Sequence, residues 1–163
     1  MAFFQKLAFA LAVSAATLLM YLPTARAFDA HAGYYYPEPQ TREVYISELP
    51  VSRDARKRSR AAFVIGLASQ HSKQSHASGY HLFAKGGELE KLIIVATGDG
   101  QYDTLYRLRA LLASLTSLAR STELFARSNH PHELNFLDFC KLIGFKQVTV
   151  SNGKDIAHQI KIQ

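Results

Sequence analysis

The chain has 163 residues, with 19 Lys and Arg against 13 Asp and Glu, one cysteine and no tryptophan. A single cysteine excludes an internal disulfide, so the fold must be held by its core. The mild basic balance falls short of the dense charge of a nucleic-acid binder, and no nucleic acid is expected as a partner.

Residues 1–27 carry one charge, Lys6, before Arg26, and Leu7 to Leu22 is apolar or small. Pro23 and then Ala25-Arg26-Ala27 follow. A basic start, an apolar middle and a small-x-small end form the pattern of a signal peptide, with cleavage expected after Ala27 and a periplasmic or secreted product. The apolar run is shorter than the roughly 20 residues of a bilayer span, and no transmembrane segment is expected after cleavage. The remaining 136 residues suit one domain. Loss of Lys6 and Arg26 lowers the net charge from +6 to +4.

Residues 28–41 are expected to form an extended strap. Tyr34, Tyr35 and Tyr36 run into Pro37-Glu38-Pro39, and prolines favour an extended path. The three tyrosines have two readings: cover for a sheet face, or an aromatic stacking surface for a ligand.

Residues 42–163 are expected to form a single α+β domain. Arg42–Glu48 alternates and predicts a strand at an edge. Ser52 is placed to cap a short helical turn. Ala61–Ser69 has large residues at 63, 65 and 67, which predicts a second strand with Gly66 on its tight face. Tyr80–Lys85 and Glu88–Thr97 are the third and fourth strands, joined at Gly86-Gly87, and short connections suggest an antiparallel meander. Leu92 to Ala96 is apolar on both faces, as in an interior strand covered twice. Apolar positions 105, 108, 111, 112, 115, 118 and 119 recur at helical spacing. A second short helix is expected at ELFARSN, and a third over Leu134–Ile143, stopped by Gly144.

The C-terminal stretch is expected to be a hairpin. A three-residue loop, Ser151-Asn152-Gly153, pairs Val150 with Lys154 and Val148 with Ile156, and so keeps the valines and isoleucines on one face. The resulting fold class is α+β, an antiparallel sheet of four N-terminal strands plus the hairpin, with two or three helices packed on it.

Candidate chemistry is sparse. Arg53, Arg56, Lys57, Arg58 and Arg60 form the densest charge run, a docking patch for an acidic protein or an anionic envelope surface. With Tyr34, Tyr35 and Tyr36 they make up the candidate interaction surface. His71, His76 and His81, with His130 and His132, raise a periplasmic metal site, but the usual ligand spacings are missing and no metal or other cofactor is expected. His158 sits among isoleucines and predicts a satisfied inward histidine. Cys140 lies in a strongly apolar stretch and predicts a buried thiol rather than a nucleophile. Asp99 and Asp103 suit the start of the long helix. No G-x-G-x-x-G or G-x-x-x-x-G-K-[ST] occurs.

HAGYYYPEP, FVIGL, LFAKG, EKLIIVA, DTLYRLRALL and Gly144-Phe145 before the hairpin, together with the signal, resemble a group of small exported proteobacterial proteins. Members are sometimes labelled molybdopterin-guanine dinucleotide biosynthesis protein A. The resemblance spans most of the chain after residue 27 and brings no catalytic signature. The guanylyltransferase of that name holds nucleotide phosphates in an L-A-G-G-x-S-x-R-M-G loop near its start, and that loop is absent here. The leading expectation is a non-enzymatic binding or accessory protein of the cell envelope. The resemblance implies, as an alternative, a link to molybdenum-cofactor biosynthesis.

Overall fold

The structure is a computed structural model and describes residues 37–163 apart from 74–78, 99, 123–124 and 126–133. The strands are β1 (Thr41–Tyr45), β2 (Tyr80–Lys85), β3 (Lys91–Ala96), β4 (Gln147–Ser151) and β5 (Ala157–Ile162). Three helices complete it among the described residues: α1 (Lys57–Ser72), α2 (Leu105–Arg120) and α3 (Phe136–Leu142). None is long and apolar enough to cross a membrane.

The α+β class holds, but the sheet is mixed rather than antiparallel. Its order is β1-β5-β4-β3-β2. β1 runs parallel to β5 and β3 parallel to β4, while β2–β3 and β4–β5 are antiparallel. Only one hairpin of the expected meander forms, that of β2 and β3. β1 is an edge strand, as expected, though at the far side of the sheet from that hairpin.

The six strands expected become five because the second of them, Ala61–Ser69, is helical. Phe63 and Leu67 are fully buried and Arg60 is buried with them, a stripe at spacings of three and four. Residues 63 and 67 satisfy both a strand pattern and a helix pattern. Ile65 decides between them, and it is 68% exposed. Ala61, Ala62, Leu67 and Ala68 are strong helix formers and outweigh the Val64-Ile65 pair. Gly66 is not a site of close backbone approach: a Cβ there would meet only the Thr122 side chain, at 3.9 Å.

One core lies between the sheet and the helices. Leu92, Ile94 and Ala96 of β3, Val148 and Val150 of β4, and Ile160 and Ile162 of β5 face Phe63, Leu108, Leu115 and Phe139. Phe139 stacks on Phe125 with centroids 4.3 Å apart and contacts Phe63 at 5.2 Å. The stripe expected of α2 is buried from Leu108 to Ala119. α3 starts at Asn135, whose side chain accepts from the Leu137 and Asp138 amides while Asp138 reaches back to the Asn135 amide, a reciprocal cap. Gly144 stops it at φ +88°, where a side chain would be strained. On the other sheet face Ile93 and Val95 are also buried, in keeping with an interior strand.

The hairpin register differs from expectation. Val148 pairs with Ile160, Val150 with His158 and Ser151 with Ala157. The loop is therefore five residues, Asn152 to Ile156. Asn152 Oδ1 accepts from the amides of Lys154, Asp155 and Ile156, at 3.1, 3.2 and 2.9 Å. That side chain organises a longer turn than Asn-Gly alone suggests. Gly153 does sit at positive φ.

Candidate functional site

The basic run folds into a turn and the start of α1. Ser52 caps a short turn, as expected, though a helix rather than a strand follows it. Its hydroxyl accepts from the Asp54 amide at 3.2 Å, and its carbonyl from the Ala55 amide at 3.0 Å, which makes a tight turn. The Ser52 amide donates to Leu142 O at 2.8 Å and pins this turn to the end of α3. α1 then begins with Arg56 at the N-cap, no side-chain cap and no acidic residue in its first turn. Arg53, Arg56, Lys57 and Arg58 are exposed.

Arg60 departs from the expected patch, because it is buried and serves the interior. Its Nε donates to Glu88 O at 2.8 Å, and its Nη1 to Ala55 O at 3.3 Å and Ile143 O at 3.4 Å, with Gly144 O at 3.5 Å. The guanidinium thus ties α1 to the β2–β3 turn and to the α3–β4 connection. Gly144 must be small here: a Cβ would lie 2.7 Å from Arg60 Nη1.

Two clefts open beside this fixed cation, and their lysines come from distant parts of the chain. The first, about 590 Å³, is lined by Arg60, Lys91, Lys146 and Lys161, with Glu88 and Glu90 on the β2–β3 turn. Lys91, Gln147 and Lys161 are register partners across β3, β4 and β5, so their side chains leave the same sheet face in one row. With strands about 4.8 Å apart, two ammonium groups flank a gap about 10 Å wide at the backbone. The Glu90 carboxyl is held below its ordinary value mainly by its own amide, opposed by partial desolvation and aided by the Glu88 amide, with Lys91 and Lys146 adding to it. The second cleft, about 410 Å³, shares Arg60, Lys146 and Lys161 and adds Lys141 and Val51. Ala55, in the turn before α1, lines this second cleft too, so the turn that carries Arg53 and leads to Arg56 borders the lysines at one end of the fold.

The other sequence candidates are dispersed. Tyr34, Tyr35 and Tyr36 lie outside the described residues, as do His76, His130, His132 and Asp99. The His71 ring packs against Tyr80, tilted by 37°, with centroids 4.0 Å apart. No group of three metal-ligating side chains occurs among the described residues. Cys140 is fully buried, and desolvation raises its thiol well above the ordinary value, as a core cysteine requires. Asp103 does not cap α2. Thr104 does, its hydroxyl accepting from the Arg107 amide at 3.3 Å.

His158 is buried, as expected, and it heads a polar chain. Thr41 Oγ1 lies 2.8 Å from Nδ1, Glu43 Oε1 lies 3.1 Å from Nε2, and Arg109 pairs with the other oxygen of Glu43. Nε2 and Glu43 are close but out of line for a hydrogen bond. Hydroxyl, imidazole and carboxylate are the parts of a nucleophile relay. Neither basic cleft is lined by Thr41, Glu43 or His158, so neither offers a substrate a place against the hydroxyl. The chain fastens β1 to β5.

Sequence reasoning missed Lys91, Lys146 and Lys161, because nothing local links them; only strand register brings them together. The expected break between the strand ending near Thr97 and the long helix does form, over Gly98 to Thr104. No family model, curated protein or solved structure matches the chain. The fold and the site define an α+β domain with a basic end.

Proposed function

We propose that this chain is an exported accessory protein that engages an anionic lipid surface of the cell envelope through its basic end. The observation that carries the reading is the placement of Arg53, Arg56, Lys57 and Arg58 in the turn before α1 and in its first turn. The positive pole of a helix disfavours cations, each by about 0.3–1 kcal/mol. A stretch that gathers cations there gives up stability, which an anionic partner returns. Juxtaposed lysines and arginines gain about 1 kcal/mol each at an anionic leaflet. Val51, half exposed beside Lys141 in the second cleft, supplies an apolar contact at the same end. Export rests on the pattern of residues 1–27.

Co-sedimentation with vesicles tests this. Binding is expected to vesicles containing phosphatidylglycerol, to fall as salt is raised, and to be absent with phosphatidylcholine alone. Replacing Arg53, Arg56, Lys57 and Arg58 by Gln together is expected to abolish it. Equal binding to both vesicle types, or binding untouched by the replacements, overturns the lipid reading. Capture of an acidic protein with no vesicle binding replaces it with protein docking.

A further inference from the structure

The opposite end of the sheet holds a different kind of site. β3 and β4 are parallel neighbours joined by a crossover through α2 and α3. β3 leads on into a helix while β4 turns back as a hairpin into β5, so the loops leaving their carboxyl ends part, as at a topological switch point where a crevice opens. Here those loops are Thr97–Thr104 and Asn152–Ile156, and a cavity of about 470 Å³ lies between them. That volume is within the range of small-ligand sites, about 300–1,000 Å³.

The chemistry of the lining is specific. Phe83 and Val95, on the sheet face away from the helices, give it an apolar floor. Phe83 is 38% exposed and its ring faces His81, with centroids 6.4 Å apart. Asp103 stands in the lining, exposed, and makes no hydrogen bond or ion pair with a described residue. Lys154 also lines the cavity but already has a partner of its own.

The turn carrying Asp103 runs strand, Gly98-x-Gly100-x-x-Asp103, helix. Gly100 is at φ +69°, and its carbonyl accepts from Arg107 at 2.7 Å. In the nucleotide-binding version of this turn, small residues let a phosphate reach the helix N-terminus. Here a carboxylate occupies the third position and repels an anion from the same place.

We propose that this cavity binds a small organic amine, with its apolar body on Phe83 and Val95 and its ammonium on Asp103. An aromatic floor attracts a cation as well as an apolar surface, and an unpaired carboxylate supplies the matching charge. The inference is independent of the basic end, which lies at the amino end of β3.

The test compares 2-phenylethylamine with phenylacetate, which share a body and differ in the sign of the head. Binding to the intact protein is followed by calorimetry and located by amide shifts in the nuclear magnetic resonance spectrum. Saturable amine binding is expected, with shifts at Thr97, Asp103 and Gly153, and none for phenylacetate. Asp103→Asn, at an exposed position, is expected to weaken the amine by about tenfold, the worth of one charge-assisted hydrogen bond. Phe83→Ala is expected to weaken it as well. Phenylacetate binding as tightly as the amine, an Asp103→Asn or Phe83→Ala protein that binds the amine unchanged, or no amine binding at millimolar concentration each overturns the proposal.

Discussion

Thr41 Oγ1 lies 2.8 Å from Nδ1 of His158, and the two residues are register partners across the parallel pair of β1 and β5. β1 is an edge strand with one neighbour, so a side-chain bond beside the backbone ladder matters to whether it stays docked. His158 is 2% exposed, and Thr41 is the only described residue hydrogen-bonded to its ring.

Thr41→Val removes that hydroxyl while keeping shape and strand propensity. A buried ring nitrogen is then left without its partner, which costs about 1–3 kcal/mol. The melting temperature is expected to fall by a few degrees, and amides of β1 to exchange faster than those of β4. An unchanged melting temperature would show that the Thr41–His158 contact contributes nothing to holding the edge.

Arg60→Met keeps the apolar stem of the side chain and deletes its donors. The carbonyls of Ala55, Glu88, Ile143 and Gly144 lose their shared partner. A loss of roughly 3 kcal/mol is expected from removing a buried cation's hydrogen bonds, out of the about 5–15 kcal/mol that holds a domain of this size together. Arg60→Lys is expected to recover little, because an ammonium cannot span the carbonyls that a planar fork reaches. Urea unfolding midpoints measure both; a Lys variant as stable as the parent would mean the fork geometry is idle.

The parts of the fold legible in the sequence are those with one dominant period. The stripe of α2 is read directly, and the run Leu92–Ala96 marks an interior strand. α1 was ambiguous because Phe63 and Leu67 fit both periods, and the exposure of Ile65 is a tertiary outcome. The hairpin is more instructive. The expected register and the observed one differ by an even number of residues, so both put Val148 and Val150 on the same face as Ile160. Face matching cannot separate them; the Asn152 side chain does, by organising a longer loop. The parallel pairings leave no local trace, since no turn joins their strands. The same reason hides part of the basic cleft, since Lys91 reaches Lys146 only through the parallel β3–β4 pair while Lys161 joins through the hairpin register, whereas Arg53 to Arg58 are visible as a run.

His71 gives a pH prediction. Its Nδ1 is buried without a hydrogen-bond partner among the described residues, and its ring lies on Tyr80. Desolvation lowers its pKa from the ordinary 6.5, and the nearby His81 lowers it further. The unfolded chain therefore takes up the proton first. The stability that neutral His71 contributes is fully present above about 6.5 and is lost as pH falls through the lower folded value. Melting temperature is expected to drop across that window, and His71→Gln to remove that step. A ring titrating above 6.5 in the resonance spectrum of the folded protein would reverse the sign and refute this account.

Lys57→Glu separates the cost of the basic end from its use. Lys57 opens α1, where the amide groups of the first turn are unsatisfied and their positive pole faces outward. It has no ion-pair partner among the described residues and lies between Arg56 and Arg58. A carboxylate in its place faces the dipole favourably and relieves repulsion among the arginines, together worth about 1 kcal/mol. The variant is expected to melt higher than the parent. Its affinity for phosphatidylglycerol vesicles is expected to fall, because one cation near the surface is lost and an anion is gained. A purely structural surface would gain stability with no change in vesicle binding, and a structural role for Lys57 would lower both. Only the opposite movement of the two measurements supports a basic end kept for an anionic partner.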